Sequence, residues 1–131
     1  MTNAKEFLSR IERMSRRIDA MLETADGYFK KSRRNGAMDD RTVNIFINLG
    51  AQLQHEAVDL AENVEKARKV IKLLDSEDEK LFVELRYFRG LKISSIVGEM
   101  RCSRATVYNI QQSAVRHVQD ILDAGLVSID G

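Results

Sequence analysis

Seven apolar residues, Phe7, Ile11, Met14, Ile18, Met21, Ala25 and Tyr28, step through the N-terminal part of the chain by alternating fours and threes. This is a heptad seam, which lays one apolar stripe along a helix. A second seam runs Val43, Phe46, Gly50, Leu53, Ala57, Leu60, Val64, Ala67, Ile71, Leu74, again by threes and fours. With two such seams and no proline in 131 residues, the chain is directed towards long helices packed on one another. Between the seams lies KKSRRNGAMDD. Asn35-Gly36 is a helix stop, because glycine tolerates the left-handed backbone that ends helices. Asp39 or Asp40 can accept from the free N–H groups of the next helix.

The seams also fit each other. Folding the chain back at Asn35/Gly36 pairs residues whose numbers sum to 71, among them Phe7 with Val64, Ile11 with Leu60, Ile18 with Leu53 and Ala25 with Phe46. Met14 then faces Ala57 and Met21 faces Gly50, large against small as interdigitated packing requires. That role would offset Gly50's cost of about 1 kcal/mol relative to Ala in a helix interior. Residues 1–75 therefore read as an antiparallel helical hairpin roughly 45 Å long, at about 1.5 Å per residue. The second helix outruns the first, leaving Ala67, Ile71 and Leu74 without partners in it. Beside the seams stand further apolar residues, Leu8, Leu22, Phe29, Ile45, Ile47 and Val70, which two helices alone do not cover. Self-association into a four-helix bundle is one way to cover them, and packing on the C-terminal module is the other.

A second module occupies 76–123. Ser76-Glu77-Asp78-Glu79 is a capping box ahead of an apolar run. It opens a helix over about 77–89 with Leu81, Leu85 and Phe88 on one face and Gly90 as its stop. LKISSIVGEM follows as a short helix with Ile93, Ile96, Val97 and Met100 inward. Then Ser103 caps a helix that turns Val107, Ile110, Ala114 and Val118 to the core. Two short helices joined by a tight turn are the helix-turn-helix layout. Residues 124–131 form a short tail with a helix stop at Gly125.

Charge is segmental beneath a net +1. Residues 1–35 carry nine Lys/Arg and five Asp/Glu, 36–80 carry six and ten, and 85–119 carry six basic groups and Glu99 alone. A helix pair of opposite signs followed by a basic module is more informative than the total, and two solvated faces are the plainer reading of the same pattern. The single cysteine, Cys102, excludes an internal disulfide and a Cys-cluster zinc site, and fits a reducing, cytoplasmic setting. No run approaches the ~20 apolar residues of a membrane span, and the charged N-terminus has no signal-peptide core.

The stretch LFVELRYFRGLKISSIVGEMRCSRATVYNIQQSAV resembles the region-four helix-turn-helix of bacterial sigma factors. The matching features are LRY-then-Gly at the end of the leading helix, Ile96, and Ser-Arg-x-x-Val-x-x-Ile in the last helix. With the preceding hairpin, the chain resembles phage and prophage late-gene transcription regulators of the ArpU/RinA type. The motif-bearing likeness covers about residues 76–120; the hairpin is similar in architecture and position only. There are departures. Arg101 stands where the family turn has Gly, so either Arg101 is left-handed or the turn differs. Lys92 replaces the Thr/Ser cap, and Val97-Gly98 replaces Ala-Glu.

A recognition helix enters the major groove by its N-terminal half. Beside the inward Val107 and Ile110, the groove-facing side chains are Arg104, Ala105, Tyr108, Asn109 and Gln112, and the resemblance implies base reading at the same positions. Arg104 suits guanine O6/N7; Asn109 or Gln112 suits adenine N6/N7; Ala105 and Tyr108 can touch a thymine methyl or a phosphate. Lys92, Arg101, Ser103, Thr106 and Arg116 are the phosphate candidates.

Other residues carry less. Cys102 reads as a small buried hydrophobe and Tyr87 and Phe88 as core. His55 and His117 read as surface or edge histidines without a metal-ligand set. No phosphate-binding loop, dinucleotide fingerprint or nucleophile elbow is present, so neither an enzyme nor a cofactor is expected. The expected fold is all-α: a long antiparallel coiled-coil hairpin, then a small trihelical helix-turn-helix module. The expected function is a sequence-specific transcriptional regulator that binds double-stranded DNA with helix 103–118, as a homodimer, in the cytoplasm. The alternatives are a small-terminase-like packaging subunit and a coiled-coil adaptor docking RNA polymerase.

Overall fold

The computed structural model describes residues 3–33 and 38–125. The Asn35-Gly36 stop and the tail beyond Gly125 lie outside the described residues. The fold is all-α: α1 (Ala4–Ser32), α2 (Asp40–Ile71), α3 (Glu77–Val83), a π-helical turn (Glu84–Phe88), α4 (Ile93–Met100) and α5 (Arg104–Asp123). Asp39 caps α2, its Oδ1 accepting from the Thr42 N–H at 2.8 Å.

Two compact units divide the chain, one made of Met1–Ser15 and Asn63–Gly131, the other of Arg16–Glu62. The boundary read at residue 75 thus falls inside the first unit. The reason is burial: Ala4, Phe7, Leu8 and Ile11 of α1 and Ala67, Val70, Ile71 and Leu74 share one core with Phe82, Val83, Leu85, Ile96, Val107, Ala114 and Val118. Ala67, Ile71 and Leu74, expected to outrun α1, are buried there, and so are Leu8 and Val70, which is the alternative of packing on the C-terminal module. Polar contacts reinforce this core. The Ala4 N–H donates to Gln119 Oε1 at 2.7 Å, and Arg86 pairs with Glu12 at 3.3 Å. Both guanidinium nitrogens of Arg68 meet the Glu84 carboxylate, with the Arg68 head 4.1 Å from the centre of the Phe88 ring.

The leading helix of the module differs in phase from its sequence pattern. Ser76 does cap it, Oγ accepting from the Glu79 N–H. Leu81, however, is 43% exposed, whereas Phe82 and Val83 are fully buried. The π turn holds one residue more than an α turn, with the Arg89 N–H reaching Glu84 O at 2.9 Å, and it rotates Leu85 and Tyr87 inward together. Tyr87 meets Phe82 edge-on at 6.2 Å. Gly90, at φ +70°, ends this segment in the left-handed region, and the Leu91 N–H closes back on Leu85 O.

In the second unit, α1 and α2 run antiparallel. Tyr28 stacks on Phe46 with ring centres 6.1 Å apart, and the Phe29 ring lies against Gly50. These aromatic pairs sum to 74 and 79 rather than 71. In an antiparallel pair each side chain leans towards its own N-terminus, so contacting residues carry higher numbers than level Cα positions. The buried residues here are small ones, Ala25, Gly50 and Ala57, while Met14 in the first unit and Ile18, Met21, Phe46, Leu53, Leu60 and, in the first unit, Val64 are half-buried.

Candidate nucleic-acid interface

The turn between α4 and α5 is built by three consecutive residues. Arg101 ends α4 at φ 54°, ψ 46°, a left-handed geometry that a glycine would adopt more easily. Cys102 tucks against the core. Ser103 stands extended at φ −69°, ψ 159° and caps α5, its Oγ accepting from the Thr106 N–H at 3.1 Å and lying 2.9 Å from Thr106 Oγ1. Both hydroxyls are thus drawn into the cap, on an exposed edge. Lys92 precedes α4 in extended geometry, and its carbonyl accepts from the Ser95 and Ile96 N–H groups.

Burial then sorts the faces of α5. Val107, Ala114 and Val118 are fully buried and Ile110 packs on them half-buried, as the sequence pattern predicts. Arg104, Ala105, Tyr108, Asn109 and Gln112 are all exposed on the opposite side. Arg101, Ser103, Thr106 and Arg116 are exposed as well, as is Lys92 at the start of α4. One helix face therefore brings a guanidinium, two side-chain amides, a phenol and a methyl to solvent in succession, and the surrounding cations are not drawn into any strong internal ion pair. Such a face can bond base edges and bind phosphates.

Several polar contacts were not legible from local pattern. His117, read as an unpaired edge histidine, has Nδ1 2.6 Å from Oε1 of Glu79, a carboxylate only 6% exposed. A carboxylate accepts, so Nδ1 carries the proton. The pair sits 38 residues apart in sequence, where only the docking of α3 on α5 reveals it. His55 is an exposed helix-surface residue, 3.9 Å from Asp59. Beside α5, Lys5 and Ser9 of α1 line a cleft of about 530 Å³ together with Arg86, Gln111 and Gln112. Among the described residues, no group of three or more His, Cys, Asp or Glu is arranged to hold a metal ion, and no helix is long and apolar enough to cross a membrane.

The family model described as a protein of unknown function, DUF1492, matches residues 25–119. The chain belongs to the DUF1492 family. The match takes in the end of α1, all of α2, and α3 to α5 as far as Gln119, whose side chain accepts from the Ala4 N–H. No curated protein and no solved structure matches the chain.

Proposed function

We propose that this DUF1492 chain is a sequence-specific DNA-binding transcriptional regulator that reads the major groove with the N-terminal half of α5. By its resemblance to regulators of the ArpU/RinA type it would act in the cytoplasm on a phage or prophage late operon. The observation that carries the reading is the joint exposure of Arg104, Ala105, Tyr108, Asn109 and Gln112 on one face of a helix whose other face is core. The left-handed Arg101 and the Ser103 cap support it, since they make the tight turn that a helix-turn-helix needs. Arg104 bonds guanine, Asn109 or Gln112 bonds adenine, and Lys92, Arg101, Ser103, Thr106 and Arg116 position the module on phosphates.

The regulator acts as a homodimer. What supports this is the Arg16–Glu62 unit, whose two helices leave Leu22, Ile45, Ile47, Leu49 and Val58 between 37% and 55% exposed. A two-helix layer has no third element to cover such flanks, and a second copy supplies one. Two reading heads then match two half-sites. Light scattering at micromolar concentration checks the dimer, and a monomer there removes it.

Fluorescence anisotropy on the DNA upstream of the protein's own gene tests the main reading, with scrambled DNA and Arg104→Ala alongside. Preference of about a thousandfold over scrambled DNA, lost in the variant, supports it. Equal weak binding to both sequences, unchanged by the substitution, overturns it and turns the search to a packaging assembly or to RNA polymerase as a protein partner.

A further inference from the structure

We infer that the cleft between the first turns of α1 and the middle of α5 is a binding site for the DNA phosphodiester backbone, with Lys5 as its cation and Ser9 and Gln111 as its neutral donors. The inference rests on the reading of α5 as a DNA-recognition helix and extends the interface to an element outside the helix-turn-helix. The cleft, about 530 Å³ in volume, shares Gln112 with the reading face, so a strand leaving the bases at Gln112 enters it directly. Its charge is arranged for a single anion. Glu12 and Arg86, which also line it, are bound to each other at 3.3 Å and are 16% and 30% exposed, so they largely cancel. Lys5 is exposed and supplies the net positive charge. Ser9 and Gln111 are half-buried in the walls, where a hydroxyl and an amide can bond the two non-bridging oxygens without adding charge.

Position reinforces chemistry. Lys5 is held at the start of α1 because its own N–H bonds Asn3 Oδ1 at 2.8 Å, and the Ala4 N–H is anchored on Gln119 of α5. The backbone that carries Lys5 is therefore anchored to α5 at Gln119, two turns from Gln112 on the reading face. A surface lysine on a mobile arm would lack that registration.

Phosphate contacts are independent of sequence, so a random 30-base-pair duplex is the probe. Anisotropy titrations from 50 to 200 mM salt compare the full-length protein with Lys5→Gln, Lys5→Arg and Gln111→Ala, and with Lys69→Gln as a charge-matched change outside the cleft. The expected result is a salt slope shallower by about 0.9 in Lys5→Gln, with affinity at the lowest salt reduced roughly three- to tenfold. Lys5→Arg keeps the slope, Gln111→Ala lowers affinity with the slope unchanged, and Lys69→Gln behaves as the parent. Circular dichroism melts confirm that each variant is folded. If the parent binds with a steep salt slope and Lys5→Gln is indistinguishable from it, the cleft holds no phosphate while the reading of α5 stands. If the parent itself does not bind duplex DNA, the reading of α5 and this inference fall together.

Discussion

Glu79 and His117 join α3 to α5 through a 2.6 Å hydrogen bond whose acceptor carboxylate is 6% exposed. Burying a carboxylate is unfavourable unless hydrogen bonds replace its water, so the histidine is what makes that burial tolerable. Glu79→Ala should lower stability by about 1–3 kcal/mol, and Glu79→Gln, which keeps an acceptor for Nδ1–H, by less. Urea unfolding of the three proteins checks the order. Equal loss in both variants would mean that the hydrogen bond contributes nothing beyond packing.

The left-handed Arg101 sets stability against binding. A side chain in that conformation costs about 1–2 kcal/mol, while a glycine there adds about 0.5–1 kcal/mol of backbone entropy to lose on folding. Arg101→Gly should therefore stabilise the protein by up to about 1.5 kcal/mol and, on the proposed function, weaken duplex binding at the same time by removing a proposed phosphate contact. Thermal melts and anisotropy on the same sample read the two opposite changes. A melt that falls would show that the Arg101 side chain, 16 residues before His117 and exposed, supports the fold in its own right.

Gly50 should reverse its sign with its neighbour. An added Cβ would stand 2.8 Å from two Phe29 ring carbons, closer than real contacts allow. Gly50→Ala gains about 1 kcal/mol in helix propensity but must displace the ring at an overpacking cost of about 1–3 kcal/mol, so a net loss is expected. In a Phe29→Ala background the same substitution should stabilise. A double-mutant cycle by thermal unfolding gives the coupling directly.

Asp39 gives the start of α2 a pH dependence. Its carboxyl is held below the ordinary value of 3.8 by hydrogen bonds from the side chain and backbone of Thr42. A depressed carboxylate contributes stability that is fully present above 3.8 and is lost as the pH falls through the lower folded value. Between pH 7 and pH 5 Asp39→Asn, which caps without titrating, should melt in parallel with the parent; below pH 4 the parent should lose stability faster. Parallel melts down to pH 2 would show that the cap does not depend on the charge.

The inward face of α5 was legible because its spacing is local: Val107, Ala114 and Val118 repeat with the helix, and Ser103 announces where it starts. The exposed readers followed as the complement of that face. The caps at Ser76, Ser103 and Asp39 were legible for the same reason, each being a short polar side chain bonding an amide three residues on. What escaped depended on distance in the chain or on an irregular turn. Leu81 was placed inside by α-helical counting, and the π turn at Glu84–Phe88 broke that count. The contact of Phe29 with Gly50 escaped because Phe29, one position off the seam, was not among the residues matched for size. Glu79 with His117, and Lys5 with Gln112, meet only after helices far apart in sequence have docked.

The bond from the Ala4 N–H to Gln119 spans 115 residues, and it has a meaning for biosynthesis. The first turn of the first helix finds its partner only when the last helix has been made. At about 5–20 residues per second, a ribosome takes roughly 6–23 s to cover that interval. Until then, Phe7, Leu8 and Ile11 lack the core that later buries them. The Arg16–Glu62 unit, contiguous in sequence, emerges whole in the meantime and can fold first. A nascent chain thus keeps the first turns of α1 open until α5 arrives.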